Sequence, residues 1–259
     1  MRSIATAIFS FLIVTCAFGR VEAIANDVVF VAGATGRTGL EIVKRLSTDG
    51  YAVIAMARDL SKVKEQLPNV QWVEGDVRDV DSLRRGMAGA TYVVSAIGST
   101  TTTGPNAPEF VDFAGTRNLA DIAKDIGAKQ FVMIASGRSG SYTDHSTRSA
   151  LGYGRYYKTK GEEYVKASGL AFTILGAAGL VQKPKAPMGV RFLSRAEYAA
   201  TTTSTDEAVI IAIPDVAAIV CAALKDPHAR YKAFAIINDP KRPVDAWKNE
   251  FALTQSQWP

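Results

Sequence analysis

The chain has 259 residues, of which 47% are hydrophobic, so it is long and apolar enough for one domain with a sizeable core. Its formal net charge of +5 is spread along the sequence rather than gathered in a block, which argues against a nucleic-acid partner and favours small anionic ligands only weakly. The two histidines lie far apart, with no cysteine or carboxylate at ligand spacing, so we predict no metal site.

The first residues differ in composition from the rest of the chain. Arg2 precedes a mostly apolar run over residues 4–18, and Val21–Ala23 then supplies small or apolar residues where a leader peptidase would cut. We predict a removable secretory-type leader over residues 1–23 and an NAD(P)-binding domain over residues 24–259. A membrane anchor is the alternative. The run is short and rich in serine and threonine for a membrane span, so we expect no stable span in the mature chain.

The leader predicts entry into the secretory pathway, yet the mature chain lacks two common features of extracellular proteins. Cys221 would be its only cysteine, which excludes an internal disulfide, and no Asn-x-Ser/Thr glycosylation site occurs. Residues 15–19 (Thr-Cys-Ala-Phe-Gly) raise an alternative destination. They resemble the cleavage-and-phenylalanine signal of the bipartite leaders that direct algal proteins into complex plastids.

The next segment has the pattern of a buried strand, a glycine turn and a helix. The apolar, largely β-branched residues 28–32 predict a buried parallel strand, and Leu40, Val43 and Leu46 recur at helical spacing after the turn. Three glycines between them allow a pyrophosphate to approach the backbone closely, where the helix N-terminus attracts negative charge. The residues predicted to hold the pyrophosphate are Gly33, Thr35, Gly36, Arg37, Thr38 and Gly39.

The end of the second predicted strand, residues 51–57, indicates which nucleotide is bound. In NAD-binding folds a carboxylate about twenty residues beyond the glycines hydrogen-bonds the ribose 2′-hydroxyl. Arg58 occupies that region here, and a guanidinium pairs with phosphate rather than with a neutral diol. Arg37 could reach the same phosphate from the glycine turn, and Asp59 suits a helix N-cap. We therefore predict that NADP(H) is preferred over NAD(H).

Further apolar runs continue the alternation of strand and helix. Residues 70–77, 91–98 and 130–135 predict three more strands, and a helix is expected from 110 to 126. This alternation predicts a single-domain α/β fold with a Rossmann-like, doubly wound parallel sheet. Asp76 is a candidate acceptor for the adenine amino group, although capping of the following helix is nearly as good an explanation. The residues expected beneath the ribose and nicotinamide are Ala96, Ile97 and Gly98.

The order of these motifs resembles a known family. They are the glycine turn, Arg58, the runs 75–77, 111–119 and 131–136, then Lys160, Glu163 and the run 168–175. Over about residues 27–239 they resemble the atypical short-chain dehydrogenase/reductases. The likeness is greatest to the NAD(P)H-binding branch, with its NmrA-like and flavin and biliverdin reductase-like proteins. The resemblance implies a nicotinamide nucleotide but no particular substrate.

In the wider superfamily that this resemblance names, a Tyr-x-x-x-Lys pair transfers protons. Tyr156 and Lys160 have this spacing, which puts both side chains on one helical face, so that the ammonium and the cofactor ribose can lower the phenol pKa. We predict that Ser136, Tyr156 and Lys160 form the acid–base set, with Ser136 steadying a substrate carbonyl and Lys160 also binding the cofactor ribose. Alternatively, Tyr156 packs at the helix rim with its hydroxyl in water, and hydride passes to a flavin or tetrapyrrole without it.

The sequence departs from the family after the strand predicted at 173–175. The family usually has Arg-Pro there, whereas this chain has Gly-Ala-Ala-Gly at 176–179, which would leave the direction of the chain loose. Residues 183–189 and 201–204 then predict a long substrate-side loop in the C-terminal half.

These patterns together predict an NADP(H)-binding reductase of a small organic acceptor, such as a carbonyl, a quinone or a flavin-like compound. The alternative is a non-catalytic NADP(H) redox sensor or assembly factor, because one fold supports both functions. A pocket that opens beside the nicotinamide would favour the enzyme. The sequence does not indicate an oligomeric state.

Overall fold

The structure is a computed structural model that describes residues 27–63, 66–140, 150–182, 188–203 and 209–254. The predicted leader, residues 1–23, lies outside these ranges. Within them, no helix has the length and apolar character that a membrane span requires.

Strands and helices alternate through most of the described chain. The strands are β1 Val28–Ala32, β2 Ala52–Ala57, β3 Val70–Glu74, β4 Tyr92–Ser95, β5 Gln130–Ser136, β6 Phe172–Ala177, β7 Gly179–Val181, β8 Gly189–Leu193, β9 Ile210–Ala212 and β10 Lys232–Asp239. The α-helices are α1 Arg37–Thr48, α2 Val80–Gly86, α3 Thr116–Asp125, α4 Ala150–Ala167, α5 Arg195–Thr203, α6 Ile213–Lys225 and α7 Glu250–Leu253. A π-helix, Glu109–Gly115, runs directly into α3.

The main sheet has eight strands in the order β3-β2-β1-β4-β5-β6-β10-β8. All neighbours pair in parallel except β8, which is antiparallel to β10. Helices α1 and α6 pack together on one face, while α2, α3, α4 and the π-helix pack on the other. The chain reverses its direction of winding between β1 and β4, so a crevice opens there at the carboxyl ends of the strands. The predicted single-domain, doubly wound α/β fold is confirmed.

The core follows from the apolar runs of the central strands. Four of the five β1 residues are buried, and the side chains of Phe30 and Phe131 are fully enclosed between the helical layers. Burying an aromatic side chain of this size stabilises the fold by about 1.5–3 kcal/mol. Helix α6 begins with Pro214 in its first turn and buries Val216 and Val220 against the same core.

The segment from 176 to 179 is held more firmly than the sequence suggests. The Ala178 amide donates to the Ile236 carbonyl at 3.2 Å, and the Gly179 amide donates to the Val209 carbonyl at 3.1 Å. These bonds lead into a second small sheet in which β7 pairs in parallel with β9. Backbone pairing, which a Gly-Ala-Ala-Gly sequence does not reveal, fixes the direction of the chain here.

Two other predicted segments differ in the structure. The helix expected from 110 to 126 is divided between the π-helix and α3. The threonine run at 201–203 closes helix α5 instead of forming a loop, and the Thr201 hydroxyl donates to the Glu197 carbonyl one turn earlier at 2.8 Å. A threonine that bonds back to the i−4 carbonyl fits within a helix, so a threonine run does not by itself indicate a loop.

Candidate functional site

A cleft of about 360 Å³ lies at the carboxyl ends of β1 to β4, at the reversal of strand order. This volume is within the range of small-molecule sites. Eight of the predicted cofactor residues line it: Gly33, Thr35, Gly36, Arg58, Asp76, Ala96, Ile97 and Gly98. Four do not line it: Arg37, Thr38, Gly39 and Lys160.

The glycines of the turn have different roles. Gly33 has φ +79°, and a Cβ there would lie 2.6 Å from the Ala96 carbonyl oxygen, so only glycine lets β1 turn so close to the end of β4. A Cβ on Gly39 would lie 2.1 Å from the Gly33 carbonyl oxygen. Gly39 therefore permits the close packing of α1 on the turn. Gly36, the N-cap of α1, has no side chain that could cover the first-turn amides, so these amides are available to an anion.

The end of β2 presents one arginine and turns its neighbouring carboxylate away. The exposed Arg58 lines the cleft, and its Nη1 donates to Asn106 Oδ1 at 3.1 Å. The carboxylate of Asp59 accepts from the Ser61 amide at 3.0 Å and pairs with Lys62 at 3.1 Å. Asp59 thus caps a short 3₁₀ turn, as the sequence suggested.

A second arginine, Arg78, lies beside Arg58 and was missed in the sequence. Its Nε donates to Asp76 Oδ1 at 2.9 Å, its Nη2 to Asp76 Oδ2 at 2.5 Å, and its Nη1 to the Pro105 carbonyl at 2.7 Å. The hydrogen bonds from Arg78 lower the pKa of Asp76 despite partial burial. The side chain of Asp79, not Asp76, caps α2. The only signal in the sequence was an Asp-x-Arg spacing just beyond a strand.

A buried ion pair, which no sequence motif indicated, lies behind Ile97 and Gly98 at the other end of the cleft. Lys158 Nζ, on α4, donates to Asp112 Oδ1 at 2.8 Å and to the Ile97 carbonyl at 3.0 Å. The Asp112 side chain is only 4% exposed, and Lys158 Nζ lies 3.5 Å from where a Cβ on Gly98 would be. A cation therefore stands against the loop that follows β4.

The predicted Tyr156–Lys160 pair lies on a different side of α4 from Lys158. Residues two apart in an α-helix point in directions about 200° apart, so Lys158 and Lys160 cannot face the same space. Lys160 Nζ pairs with Glu163 at 2.9 Å and lies 5.7 Å from the centre of the Tyr156 ring. The structure thus brings Tyr156 and Lys160 together, as their spacing predicts, but neither Lys160 nor Lys158 is among the residues that line the cleft.

Ser136, the third member of the predicted set, ends β5 and belongs to a tightly bonded turn. Its Oγ accepts from the Arg138 amide at 3.3 Å, and its carbonyl accepts from the Ser139 hydroxyl at 2.6 Å. The Ser139 hydroxyl also bonds the carboxylate of Glu162 on α4, and Thr159 Oγ1 accepts from the Gly140 amide at 2.5 Å. The turn after β5 is therefore fastened to α4.

Glu162 lies at the centre of this contact, with only 1% of its surface exposed. Its Oε2 lies 3.5 Å from Nη2 of Arg195, which begins α5. Burial raises the pKa of Glu162 to about 7, against the opposing effects of the Ser139 hydrogen bond and the positive charge of Arg195. One carboxyl group thus joins β5, α4 and α5 behind Ser136.

The cleft at the reversal of strand order, the glycine turn and the helix N-terminus define a dinucleotide-binding protein of the Rossmann class. A family model described as NAD(P)H-binding matches residues 33–227, more than half of the chain, and the chain belongs to this family. The predicted recognition as an NAD(P)H-binding, atypical short-chain dehydrogenase/reductase-like chain is confirmed. A nicotinamide nucleotide is accordingly the cofactor class, and the glycine turn and cleft of this chain fit it.

Relatives among known proteins include two uncharacterized chloroplastic proteins of Arabidopsis thaliana. One is 28% identical over 248 residues, with 91% of this chain and 85% of the relative covered; the other is 30% identical over 239 residues, with 82% and 70% covered. The photosystem II assembly factor Ycf39 of Cyanophora paradoxa is 28% identical over 215 residues, with 81% of this chain and 63% of the relative covered.

Solved structures share the fold at lower identity. The oxidoreductase ylbE of Lactococcus lactis has a TM-score of 0.70 and 21% identity, with 89% of this chain and 98% of that chain covered. The anaerobillin reductase ChuY of Escherichia coli O157:H7 has a TM-score of 0.63 and 18% identity, with 84% and 100% covered.

Proposed function

We propose that the protein is an NADP(H)-dependent reductase of a small organic acceptor. The observation that carries the preference for NADP(H) is the pair of guanidinium groups, Arg58 and Arg78, at one end of the cleft. Neither nearby carboxylate suits a ribose 2′-hydroxyl, since Asp76 is engaged by Arg78 and Asp59 caps a 3₁₀ turn. A charged hydrogen bond to a 2′-phosphate contributes about 1.5–3 kcal/mol, which NAD(H) cannot gain.

Substitution of Arg58 tests this preference. Arg58→Ala should weaken the binding of NADPH by roughly ten- to a hundredfold and change that of NADH by less than about twofold. Dissociation constants for both nucleotides come from fluorescence titration or calorimetry. Arg84→Ala, which removes a surface arginine paired with Asp81, is the matched control and should change neither. Equal losses for NADPH and NADH in Arg58→Ala would refute the assignment.

At the other end of the cleft we propose Lys158 as the lysine beside the cofactor ribose, in competition with the predicted Lys160. Support comes from its contacts with Asp112 and with the Ile97 carbonyl. The two lysines form a matched pair of tests on one helix. Lys158→Ala should weaken NADPH binding by roughly tenfold and Lys160→Ala should leave it unchanged, because only Lys158 would lose a charged hydrogen bond to the nucleotide. The reverse result would favour Lys160 and the Tyr156–Lys160 mechanism.

The proton donor depends on which lysine acts. The bound nicotinamide supplies hydride, and with Lys160 the phenol of Tyr156 would give the proton. Loss of such a general acid in Tyr156→Phe would slow turnover by about 10²–10⁴. With Lys158, the position one helical turn earlier is Gly154, where a Cβ would meet no atom within 4 Å. No phenol stands at that place, so we propose acceptors that take their proton from solvent, such as quinones and flavins.

The second candidate function is a non-catalytic NADP(H) sensor or assembly factor. The glycine at position 154 favours it, as does the similarity to Ycf39, which is named as a photosystem II assembly factor. NADPH oxidation against a panel of quinones, flavins and aldehydes separates the two candidates. If the wild type turns over any of these acceptors faster than the Arg58→Ala variant does, the result supports the reductase. Tight NADPH binding without turnover of the whole panel supports the sensor.

We also propose a plastid destination, the alternative raised by residues 15–19. What supports it is that the two Arabidopsis relatives are described as chloroplastic.

A further inference from the structure

The segment from Ser99 to Ala107, here called the strap, runs from the end of β4 across the side of the cleft to the π-helix. Both arginines of the cleft bind its far end. Arg58 Nη1 donates to Asn106 Oδ1 at 3.1 Å, and Arg78 Nη1 donates to the Pro105 carbonyl at 2.7 Å. The two guanidinium groups that would bind a 2′-phosphate are therefore also the two that hold the strap.

The near end of the strap is linked to Lys158 through the carboxylate of Asp112. The Ser99 amide donates to Asp112 Oδ2 at 2.9 Å, while Lys158 Nζ donates to Asp112 Oδ1 at 2.8 Å. One buried carboxylate thus holds the strap with one oxygen and the lysine with the other. The Ser99 hydroxyl donates to the Asn106 carbonyl at 2.5 Å, which ties the near end of the strap to the far end.

Asp112 has little freedom to change this arrangement. It lies in the π-helix, a distortion that often occurs at functional sites, and it is 3% exposed. Helix α4 crosses close behind it, since a Cβ on Gly161 would lie 2.7 Å from the Asp112 carbonyl oxygen. A displacement of the strap must therefore be accommodated at the side chains of Asp112 and Lys158 rather than by a shift of the π-helix.

Arg58 can bind the strap and a phosphate together. A guanidinium has five N–H donors, of which Asn106 takes one, so the others can form a bidentate pair with a phosphate. Asn106 then fixes the orientation of the guanidinium, and a phosphate on Arg58 in turn fixes the strap. Groups that share one hydrogen-bond network are energetically coupled, and the coupling acts in both directions.

We propose that Asn106 and Asp112 are positioning residues that couple recognition of the 2′-phosphate at Arg58 to the placement of Lys158. The phosphate orders the strap, and the strap holds Asp112, and through it Lys158, in place for the other half of the nucleotide. The inference rests on the proposed preference for NADP(H), because a nucleotide without a 2′-phosphate gives Arg58 nothing to bind.

The test uses adenosine 2′,5′-bisphosphate, which carries the 2′-phosphate but no nicotinamide half. The rate of Lys158 acylation by an amine-reactive reagent is followed by mass spectrometry, with Lys129, paired with Asp27 outside the cleft, as the internal reference. Saturating bisphosphate should slow the labelling of Lys158 by about threefold or more relative to Lys129. Adenosine 5′-monophosphate, which lacks the 2′-phosphate, should slow it by less than about 1.5-fold.

Asn106→Ala separates coupling from simple shielding. The variant leaves Lys158 and Asp112 intact, so direct shielding of Lys158 by the bisphosphate would persist in full. Protection transmitted from Arg58 through Asn106 should be lost, and any remainder would pass from Arg78 through the Pro105 carbonyl. Asp112→Asn should abolish the protection as well, and Asp121→Asn, a surface substitution on α3, should preserve it. If Asp112→Asn does not fold, Asn106→Ala decides alone.

Two failures are distinguishable. If the bisphosphate binds without protecting Lys158, or protects it equally in Asn106→Ala, the coupling is refuted and the NADP(H) preference stands. If the bisphosphate does not bind at all, the preference for NADP(H) is refuted and the coupling with it.

A double-mutant cycle on NADPH affinity is a further measurement. If Asn106 and Asp112 are coupled, the double variant Asn106→Ala, Asp112→Asn should lose at least about threefold less affinity than the product of the two single losses. Multiplicative losses would contradict the coupling.

Discussion

Glu162 makes the stability of the protein depend on pH in a direction opposite to that of most carboxylates. Its side chain is 1% exposed, and burial raises its pKa from the usual 4.5 to about 7. Between these values the native protein holds a proton that the unfolded chain has lost. The native state then binds more protons, so the free energy of unfolding falls as the pH rises. The contribution is fully present below about pH 4.5 and is lost as the pH passes 7.

The size of the effect follows from the shift. A difference of about 2.5 between the folded and unfolded pKa corresponds to about 3 kcal/mol over the full range. About 2 kcal/mol of this falls between pH 5.5 and 8.5, because the unfolded carboxyl is already mostly ionised at the lower limit. In Glu162→Gln the amide keeps a partner for Ser139 but cannot ionise.

Urea unfolding followed by tryptophan fluorescence measures the effect at both pH values. We expect the free energy of unfolding of the wild type, relative to that of Glu162→Gln, to fall by about 2 kcal/mol from pH 5.5 to pH 8.5. The attraction between Arg195 and the ionised carboxylate lowers the pKa of Glu162, so it is already included in the value of about 7. Glu163→Gln, on the exposed side of the same helix, is the control and should show no such trend. A difference that stays flat to within about 0.5 kcal/mol would refute the perturbed pKa of Glu162.

Three further predictions concern the turn, a cap and the leader. Gly39→Ala should abolish detectable NADPH binding in a titration, because its Cβ would lie 2.1 Å from the Gly33 carbonyl oxygen; wild-type affinity would contradict the role of this glycine. Asp79→Ala should lower the free energy of unfolding by about 0.5–2 kcal/mol, measured by urea denaturation, since the side chain caps the Asp81 and Ser82 amides, whereas Asp81→Ala should cost little. Mass spectrometry of the protein from its native source should find an N-terminus near Ile24, or near Phe18 if the leader is bipartite, and an intact Met1 would contradict both.

Local patterns were enough to predict the cofactor-binding half of the molecule. A strand, a glycine turn and a helix follow one another within residues 28–48, and each is specified by its own residues, so the prediction required no distant contacts. Arg58 could be identified in the same way, because its place is fixed by the end of β2. Arg78 and Asn106 could not, since each reaches the cleft through a loop whose path depends on partners far along the chain.

Which lysine of α4 points toward the loop after β4 depends on the rotation of the helix, which the spacing of residues does not determine. The Tyr-x-x-x-Lys spacing correctly predicts that Tyr156 and Lys160 share one face of the helix, but it does not predict where that face points. The close packing of Gly161 against the π-helix turns Lys158 toward Asp112 instead. The burial of Glu162 has the same origin, because one row of α4 carries both Lys158 and Glu162 inward.

The sequence by itself determined the class of the protein: the alternation of apolar strands and helices, the phosphate-binding turn, and an arginine where a carboxylate would indicate NAD(H). These features are local, so each can be recognised in the sequence from a periodic pattern or from a fixed spacing between residues. Only the tertiary structure decided that Lys158 pairs with Asp112 behind the loop after β4, that Asp76 is bound by Arg78, and that the strap links Arg58 and Arg78 to Asp112. Those features arise where separate elements meet, and side-chain packing across such contacts selects one arrangement among several that the local sequence permits.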